Sequence, residues 1–526
     1  MTDGRSPGAP QLVHIKVRIP MASIDELIPG APLLAAQAED SRETARRSKL
    51  GVLAKCAYGV GEMTNGIATT GLTYLAFFYL TAICGMSGTR AGLITFIGLL
   101  IDSIADPLIG LLSDNTRSRL GRRHPYMFAS FMPLALSFAL VFAIPRSLTG
   151  LHLFLYVTAL MLALRVCLSI FYLPYLAIGA EISDDYHERS SIVGYRLFFW
   201  SIAAFATLYL GLGGLNANST ALLHRSNYVR FGWISGGLLA LIGLAAAVGT
   251  LRQIPRLHQP QRRAGAALTQ LVRELREVFR NGAFVSLFLT CLIFFVAQGT
   301  AATLALDANK YFWDLPASIN QTVLLVLVLA PIFGLPIARL LQNHLEKRTF
   351  AIGGALIFCV CQFYPPVLRI YGLLPDGFEY LSTLLVVNAA ISGIGLVICG
   401  IGFQSMMADA ADQHEYLFGA RREAMFLSGL TFSVKSASGL GSLIGGIALD
   451  AIHFPADISN RGLHPDLSGA TIRGLGWVSG PLPAALTVLS AVAMLGYKIN
   501  QAKYQAIKQV LTERRKLAAA SPADTV

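Results

Sequence analysis

Twelve apolar runs dominate this chain, each long enough to cross the roughly 30 Å hydrocarbon layer of a bilayer as an α-helix rising about 1.5 Å per residue. They lie near residues 52–83, 88–113, 125–145, 150–182, 190–215 and 229–251. After an interval, six more follow near 281–306, 318–342, 349–371, 379–408, 422–451 and 476–498. With 54% of its 526 residues hydrophobic and only 14% charged, the chain has too little polar surface to clothe a soluble globule of this length. Lipid is its natural solvent, and the fold class expected is an all-α integral membrane protein with 12 transmembrane helices in two six-helix bundles.

The polar intervals set the predicted layout. Residues 1–49 contain no basic segment ahead of an apolar core, so no cleaved signal peptide is expected, only a disordered cytoplasmic tail. Bundles are expected over 50–251 and 281–498. A basic linker, 252–280, joins them and carries an amphipathic surface helix around Leu268, Leu271, Val272, Leu275 and Phe279; a cytoplasmic tail, 499–526, ends the chain. Basic residues fall in alternate connections: Arg46, Arg47 and Lys49; Arg117 to Arg123; the linker; Lys347 and Arg348; Arg421 and Arg422; and the tail through Lys516. The opposite loops hold single cations such as Arg90, Arg146 and Lys310, and one carries an Asn218-Ser219-Thr220 sequon. The positive-inside rule therefore puts both termini in the cytoplasm of a plasma membrane, a bacterial inner membrane by default. It also accounts for the net charge of +12 without nucleic acid. The seven cysteines are scattered, with no CxxC, which predicts neither a disulfide framework nor a zinc site. No Walker, GxSxG or HExxH motif is present, so an enzyme is not expected.

The halves echo one another. Asp185-Tyr186-His187-Glu188 after the fourth run matches Asp412-Gln413-His414-Glu415 after the tenth, and Gly110-Leu111 matches Gly334-Leu335, each ahead of a basic turn. Offsets of 412 − 185 = 227 and 334 − 110 = 224 residues suggest parallel repeats. That arrangement is expected of a major facilitator fold, with its site between the bundles.

Chemistry concentrates in the second run, where Asp102 and Asp106 stand at i and i+4 in otherwise apolar sequence. They share one helical face, and carboxylates at that depth face a wet cavity, a cation or a basic partner. Two such groups suit either sodium or a shared proton; hydrogen bonds that merely anchor packing are the alternative. The stretch Asp114 to Pro125, with Arg117, Arg119, Gly121, Arg122 and Arg123, reads either as a gating loop remade when the bundles rock or as a topology anchor.

These stretches, with Tyr58-Gly59-Val60-Gly61-Glu62, Pro107, Pro174-Tyr175, Glu181 to Arg189, Arg196, Met407-Ala408-Asp409 through Glu415, and Lys435, resemble the glycoside–pentoside–hexuronide:cation symporter family, the melibiose-permease-like branch of the major facilitator superfamily. The resemblance spans nearly four hundred residues and implies cation-coupled symport. It places the cation site on Asp102, Asp106 and Ser169, the last replacing a threonine, and a link between the halves on Lys435, which otherwise would only neutralise a buried acid. A further polar ligand of the family falls on Ala105, which weakens sodium specificity and keeps protons in play. No cofactor is implied beyond the coupling ion, Na+ or H+.

The sugar-binding acids of melibiose-type members fall on Gly66 and near Tyr172, so galactoside recognition is not supported. Chemistry nominates Glu62, Arg165, Tyr172, Tyr175, Arg196 and Trp200 for gripping sugar hydroxyls, with packing as the alternative for the aromatic residues. Gln298 and Asn388, with Gln362, Gln404 and Asp307, are polar at membrane depth in the second half and would line the path or bond between helices. The partners expected are a small organic solute, a coupling cation and the bilayer, with no nucleic acid and no obligatory protein partner. Three readings follow: a symporter of a sugar, glycoside or hexuronide; a transporter of an amphipathic lysolipid-like substrate; and an intramembrane aspartyl enzyme. The last is disfavoured because its aspartates would sit on separate helices.

Overall fold

A computed structural model of the chain describes residues 50–182, 185–214, 221–256, 276–374, 377–419, 423–458 and 467–520. The expected N-terminal tail, most of the linker with its amphipathic helix, the sequon, Arg421 and Arg422 and residues 521–526 lie outside the described residues.

The first run does not form one regular helix. It folds as α1 (Val52–Gly59) and α2 (Glu62–Thr70), continued by π-helical segments at Gly71–Ala76 and Tyr79–Ile83. The wider π turn shifts side-chain direction within a span. The other helices of the first half are α3 (Gly88–Asn115), α4 (His124–Phe142), α5 (Gly150–Glu181), α6 (Tyr186–Gly211) and α7 (Arg225–Thr250). In the second half come α8 (Gly282–Asp307), which passes into a π segment Ala308–Phe312, then α9 (Ala317–Gln342), α10 (Lys347–Ile370), α11 (Phe378–Phe418) and α12 (Glu423–Ala451). The twelfth crossing is divided into α13 (Gly469–Ser479) and α14 (Pro481–Ala493) at Gly480, where Pro481 cannot donate to the preceding turn. Among the described residues, 10 spans meet the length and hydropathy of a bilayer crossing, and α9, bent by 41° between Ala330 and Ile332, makes an eleventh. The segmented first run is not among them, since no single helix in it is long enough.

Two boundaries differ from expectation. Helix α11 runs to Phe418, 41 residues in all, so Asp409 and the Asp412–Glu415 motif are helical rather than in a turn; Gly419, at φ +75°, ends it. The C-terminal segment also folds, as α15 (Gln501–Ala520), with Ile507 and Leu511 buried.

The halves meet along α3 and α12, where small residues bring backbones together. A Cβ on Gly88 would lie 2.5 Å from the Gly446 oxygen, and one on Gly92 2.5 Å from the Ser442 oxygen. The Asp450 carboxylate accepts hydrogen bonds from the backbone N–H groups of Gly88 and Thr89, both at 2.8 Å, capping the N-terminus of α3 from the other half. Nearby, the Asp457 N–H donates to the Thr81 carbonyl at 3.0 Å. The apolar core is continuous across the halves on this side, running from Phe78, Phe142 and Tyr228 to Tyr311, Phe454 and Ile458. On the side of the basic connections, a separate cluster around Phe284, Phe403, Met407, Phe426 and Tyr497 belongs to the second half. Lys435 of α12 reaches Asp106 of α3 toward the basic side of this contact. Beyond it Leu108 and Leu112 of α3 and Leu427 and Phe432 of α12 are exposed.

Candidate functional site

Asp102 and Asp106 lie one turn apart on α3, facing α5 and α12. The Ser169 hydroxyl of α5 stands 2.5 Å from Asp102 Oδ1 and 2.8 Å from Asp106 Oδ1. A hydroxyl has one proton, so it satisfies one of these oxygens at a time. Lys435 Nζ is 2.5 Å from Asp106 Oδ2 and 3.1 Å from Asp102 Oδ2. Arg165 Nη1 of α5 is 3.8 Å from Asp102 Oδ2, and its Nε has no partner. Two acids thus meet two bases in a site where Asp102 is 3% and Arg165 5% exposed. Paired this way, the charges can remain buried. Ala105 adds no oxygen.

A cavity of about 250 Å³ opens on this cluster, walled by Asp102, Asp106, Arg165, Ser169 and Lys435, with Asn65, Thr69, Tyr172, Gln298, Thr303 and Ser442. Behind it, Glu62 of α2 accepts from Arg196 Nε at 2.6 Å, from the Tyr172 hydroxyl at 2.8 Å and from Asn65 Nδ2 at 3.3 Å. Arg196 Nη2 also donates to Tyr172 at 3.3 Å. Tyr172 and Asn65 therefore reach the cavity wall, held by a carboxylate–guanidinium pair outside it. Gln298 lines both this cavity and a second one of about 130 Å³ within the second half. Asn388 lines the second cavity; its Nδ2 donates to the Cys361 carbonyl at 3.1 Å and its Oδ1 is unpartnered.

Three candidates lie elsewhere. Tyr175 is fully buried, stacked on Tyr58 with ring centroids 4.6 Å apart and donating to the Tyr58 carbonyl at 3.0 Å. Gly66 packs α2 against α6, where a Cβ would stand 2.8 Å from the Ala203 Cβ and 3.1 Å from the Trp200 carbonyl. Trp200 packs against the apolar core, outside both cavities.

On the basic side, Arg123 Nη2 bonds Asp114 Oδ1 at 2.7 Å and Glu181 Oε1 at 2.9 Å, while Arg122 reaches Glu181 at 2.5 Å and Asp114 at 3.8 Å. Gly121, at φ +73°, turns the loop, and Arg117 and Arg119 stay exposed. The matching cluster of the second half pairs Lys347 with both Asp409 oxygens at 2.7 and 2.8 Å, and Arg515 with Glu415 at 2.8 Å. Tyr504 of α15 donates to Asp412 at 3.1 Å; burial, then the neighbouring Asp409 and Asp412, push its phenol up to about 12. Each cluster fastens helix ends within its own half. Sequence reasoning missed Asn65, Thr69, Thr303 and Ser442 on the cavity wall, the Lys55–Glu188 pair at 3.1 Å and the Asp450 cap. Only Asp450 carried a signal: a carboxylate after the aliphatic, glycine-rich run Gly445 to Leu449.

The family model for MFS/sugar transport proteins matches residues 57–501. The chain belongs to that family. It is 24% identical to an uncharacterized symporter of Synechocystis over 89% of this chain and 98% of that one. It is likewise 24% identical to the isoprimeverose transporter of Lactiplantibacillus pentosus, over 82% and 85%. With the mouse sodium-dependent lysophosphatidylcholine symporter 1 the identity is 23% over 94% and 95%. Among solved structures, a single-site variant of the nucleoside transporter NupG superposes with a TM-score of 0.59 at 13% identity, covering 85% of this chain and all of that one. The D-xylose-proton symporter gives 0.55 at 13%, over 84% and 96%. The protein is thus a multi-pass membrane transporter of the major facilitator fold, not an enzyme.

Proposed function

We propose that this transporter carries a small organic solute, a sugar or glycoside, together with a cation by alternating access. The observation that supports this most directly is the Ser169 hydroxyl within hydrogen-bond reach of both Asp102 and Asp106, with Lys435 Nζ closing the opposite edge. On this reading Lys435 is the resident counter-ion of an empty cation site, and the coupling ion takes its place. A proton needs one of these oxygens; sodium needs Asp102 Oδ1, Asp106 Oδ1 and Ser169 Oγ, with water or solute completing its shell. The solute sits beside the cation in the cavity, where Asn65, Thr69, Tyr172 and Gln298 offer hydroxyl-bonding groups and Arg165 has a free Nε–H.

With the basic connections in the cytoplasm by the positive-inside rule, the packed face around Gly88, Gly446 and Asp450 is the outer one. The conformation then opens to the cytoplasm. On this reading the basic clusters at Asp114 (Arg122, Arg123) and Asp409 (Lys347) are partners released from a closed inner gate.

Uptake into proteoliposomes tests the proposal, using isoprimeverose-type glycosides, hexuronates and lysolipids under imposed sodium or proton gradients. Wild type should accumulate a glycoside down one of the two gradients, and folded Asp102→Asn and Asp106→Asn should not. Unchanged accumulation in both variants would make the pair structural.

A further inference from the structure

Asp307 is fully buried, neither carboxylate oxygen has a hydrogen-bond partner, and the cation site leaves it unused. It ends α8 on the packed outer face and begins the π segment Ala308–Phe312. Tyr311, on that segment, has an equally unpartnered hydroxyl; its ring stacks on Phe78 of the first run at 6.4 Å and meets Phe454 at 5.4 Å. From the first half, Tyr228 of α7 lies within electrostatic reach of Asp307 and stacks on Tyr79 at 4.8 Å, with Cys84 beside them. These facing groups are neutral phenols and a thiol. Of the charged groups nearby, Lys310 of the same segment and Arg225 of α7, which acts on Tyr79 and Cys84 and donates to the Ile144 carbonyl, leave both Asp307 oxygens without a hydrogen bond; Asp457 faces Cys84, and Asp450 of α12 accepts from the α3 N-terminus. A carboxylate without a counter-charge or donor cannot stay ionised in such a site, whereas a protonated carboxyl can.

We propose that Asp307 is a second proton-binding site, built into the closed outer face, which holds a proton while that face is shut and yields it to the outer water when the face opens. The first-run and α8 residues around it come from opposite halves, so parting Phe78 from Tyr311 wets the carboxyl. Water then supplies the donors that the closed site withholds. Opening rests on the alternating-access reading, but the proton at Asp307 is independent of Asp102 and Asp106.

Infrared difference spectroscopy of the protein in proteoliposomes, titrated from mildly acidic to mildly alkaline, tests this. A carbonyl stretch from a protonated carboxyl should persist into the alkaline range. It should be lost in Asp307→Asn, shifted in Asp307→Glu, and retained in Asp102→Asn and Asp106→Asn. Gly446→Trp, which wedges the outer face where no Cβ fits, should abolish the alkaline signal. A wild-type spectrum without the band, Asp307 variants indistinguishable from wild type, or a band indifferent to Gly446→Trp would overturn the proposal. Loss of the band in Asp102→Asn alone would instead assign the proton to the coupling pair.

Discussion

Replacing Lys435 with methionine keeps most of its volume and removes the charge that lies 2.5 Å from Asp106 and 3.1 Å from Asp102. A hydrogen bond to a charged group contributes about 1.5–3 kcal/mol, and the side chain is 27% exposed, so solvent screening places the Lys435 contribution near the low end, about 2 kcal/mol. If Lys435 and the coupling ion compete for the same oxygens, that sum returns to the ion. At about 1.4 kcal/mol per tenfold, the affinity of Lys435→Met for its cation should rise roughly 30-fold. Sodium affinity can be read by calorimetric titration of the purified protein, and proton affinity by potentiometric titration of the same sample. Tighter binding should slow cation release on the cytoplasmic side, so net uptake falls while exchange of labelled solute across equal concentrations continues. Sodium and proton affinities both within a factor of two of wild type would refute the competition. So would a fall in affinity, which would mean that Lys435 helps to hold the ion.

Glu62→Gln removes the charge that fixes Arg196, Tyr172 and Asn65 at the cavity wall. It should raise the apparent KM for solute at least tenfold while leaving calorimetric cation binding unchanged; a parallel loss of cation affinity would show that the two networks are one. Asp450→Asn replaces a carboxylate that accepts two backbone N–H bonds across the halves, a loss of about 1.5–3 kcal/mol from the closed outer face. Labelling of Cys84, half-buried at that end of the first run, by an impermeant maleimide from outside should rise at least tenfold, and an unchanged rate would show that the cap does not hold the face shut.

The crossings were legible because the bilayer leaves little choice: a chain that cannot bond its backbone to lipid must span it as helix. Their ends were harder. After residue 408 the sequence turns polar at Asp409 and Asp412, yet Ala, Gln, Glu and Leu are good helix formers, so α11 continues past the hydropathy boundary to Gly419. The π turns of the first run left no sign in a hydropathy pattern. At the site, the Asp102–Asp106 spacing was visible because both carboxylates lie on one helix. Ser169 and Lys435 came only through resemblance, since contacts between distant helices leave no local periodicity. Nor could sequence tell Tyr172 from Tyr175, one turn apart: the first meets Glu62 at the cavity and the second the ring of Tyr58. Asp450 stood out as a carboxylate after an aliphatic run, but what it caps did not. Its partners are backbone N–H groups, which every residue but proline has.

The position of Lys435 gives the ion a lever. Below the Asp450 cap, from Gly92 and Ser442 down to Ser103 and Ser436, the described contacts of the α3–α12 seam are apolar side chains, glycine and serine packed on backbone, contacts that do not change with charge. The Lys435–Asp106 pair is the part of this seam where a cation can intervene. On the proposed reading, an ion entering at Asp102 and Asp106 releases Lys435, and with it the electrostatic tie at the point where the two halves diverge. The outer seam is then held by packing, by the Asp450 cap and by the Asp457–Thr81 backbone bond. Cation binding would thereby lower the cost of opening outward, and the ion's loss to the cytoplasm would restore the tie, so the conformational exchange is driven in the direction that the ion gradient sets. A pair of carboxylates answered by a lysine on its own helix would lack that property, because no step of its titration would change the contact between the halves.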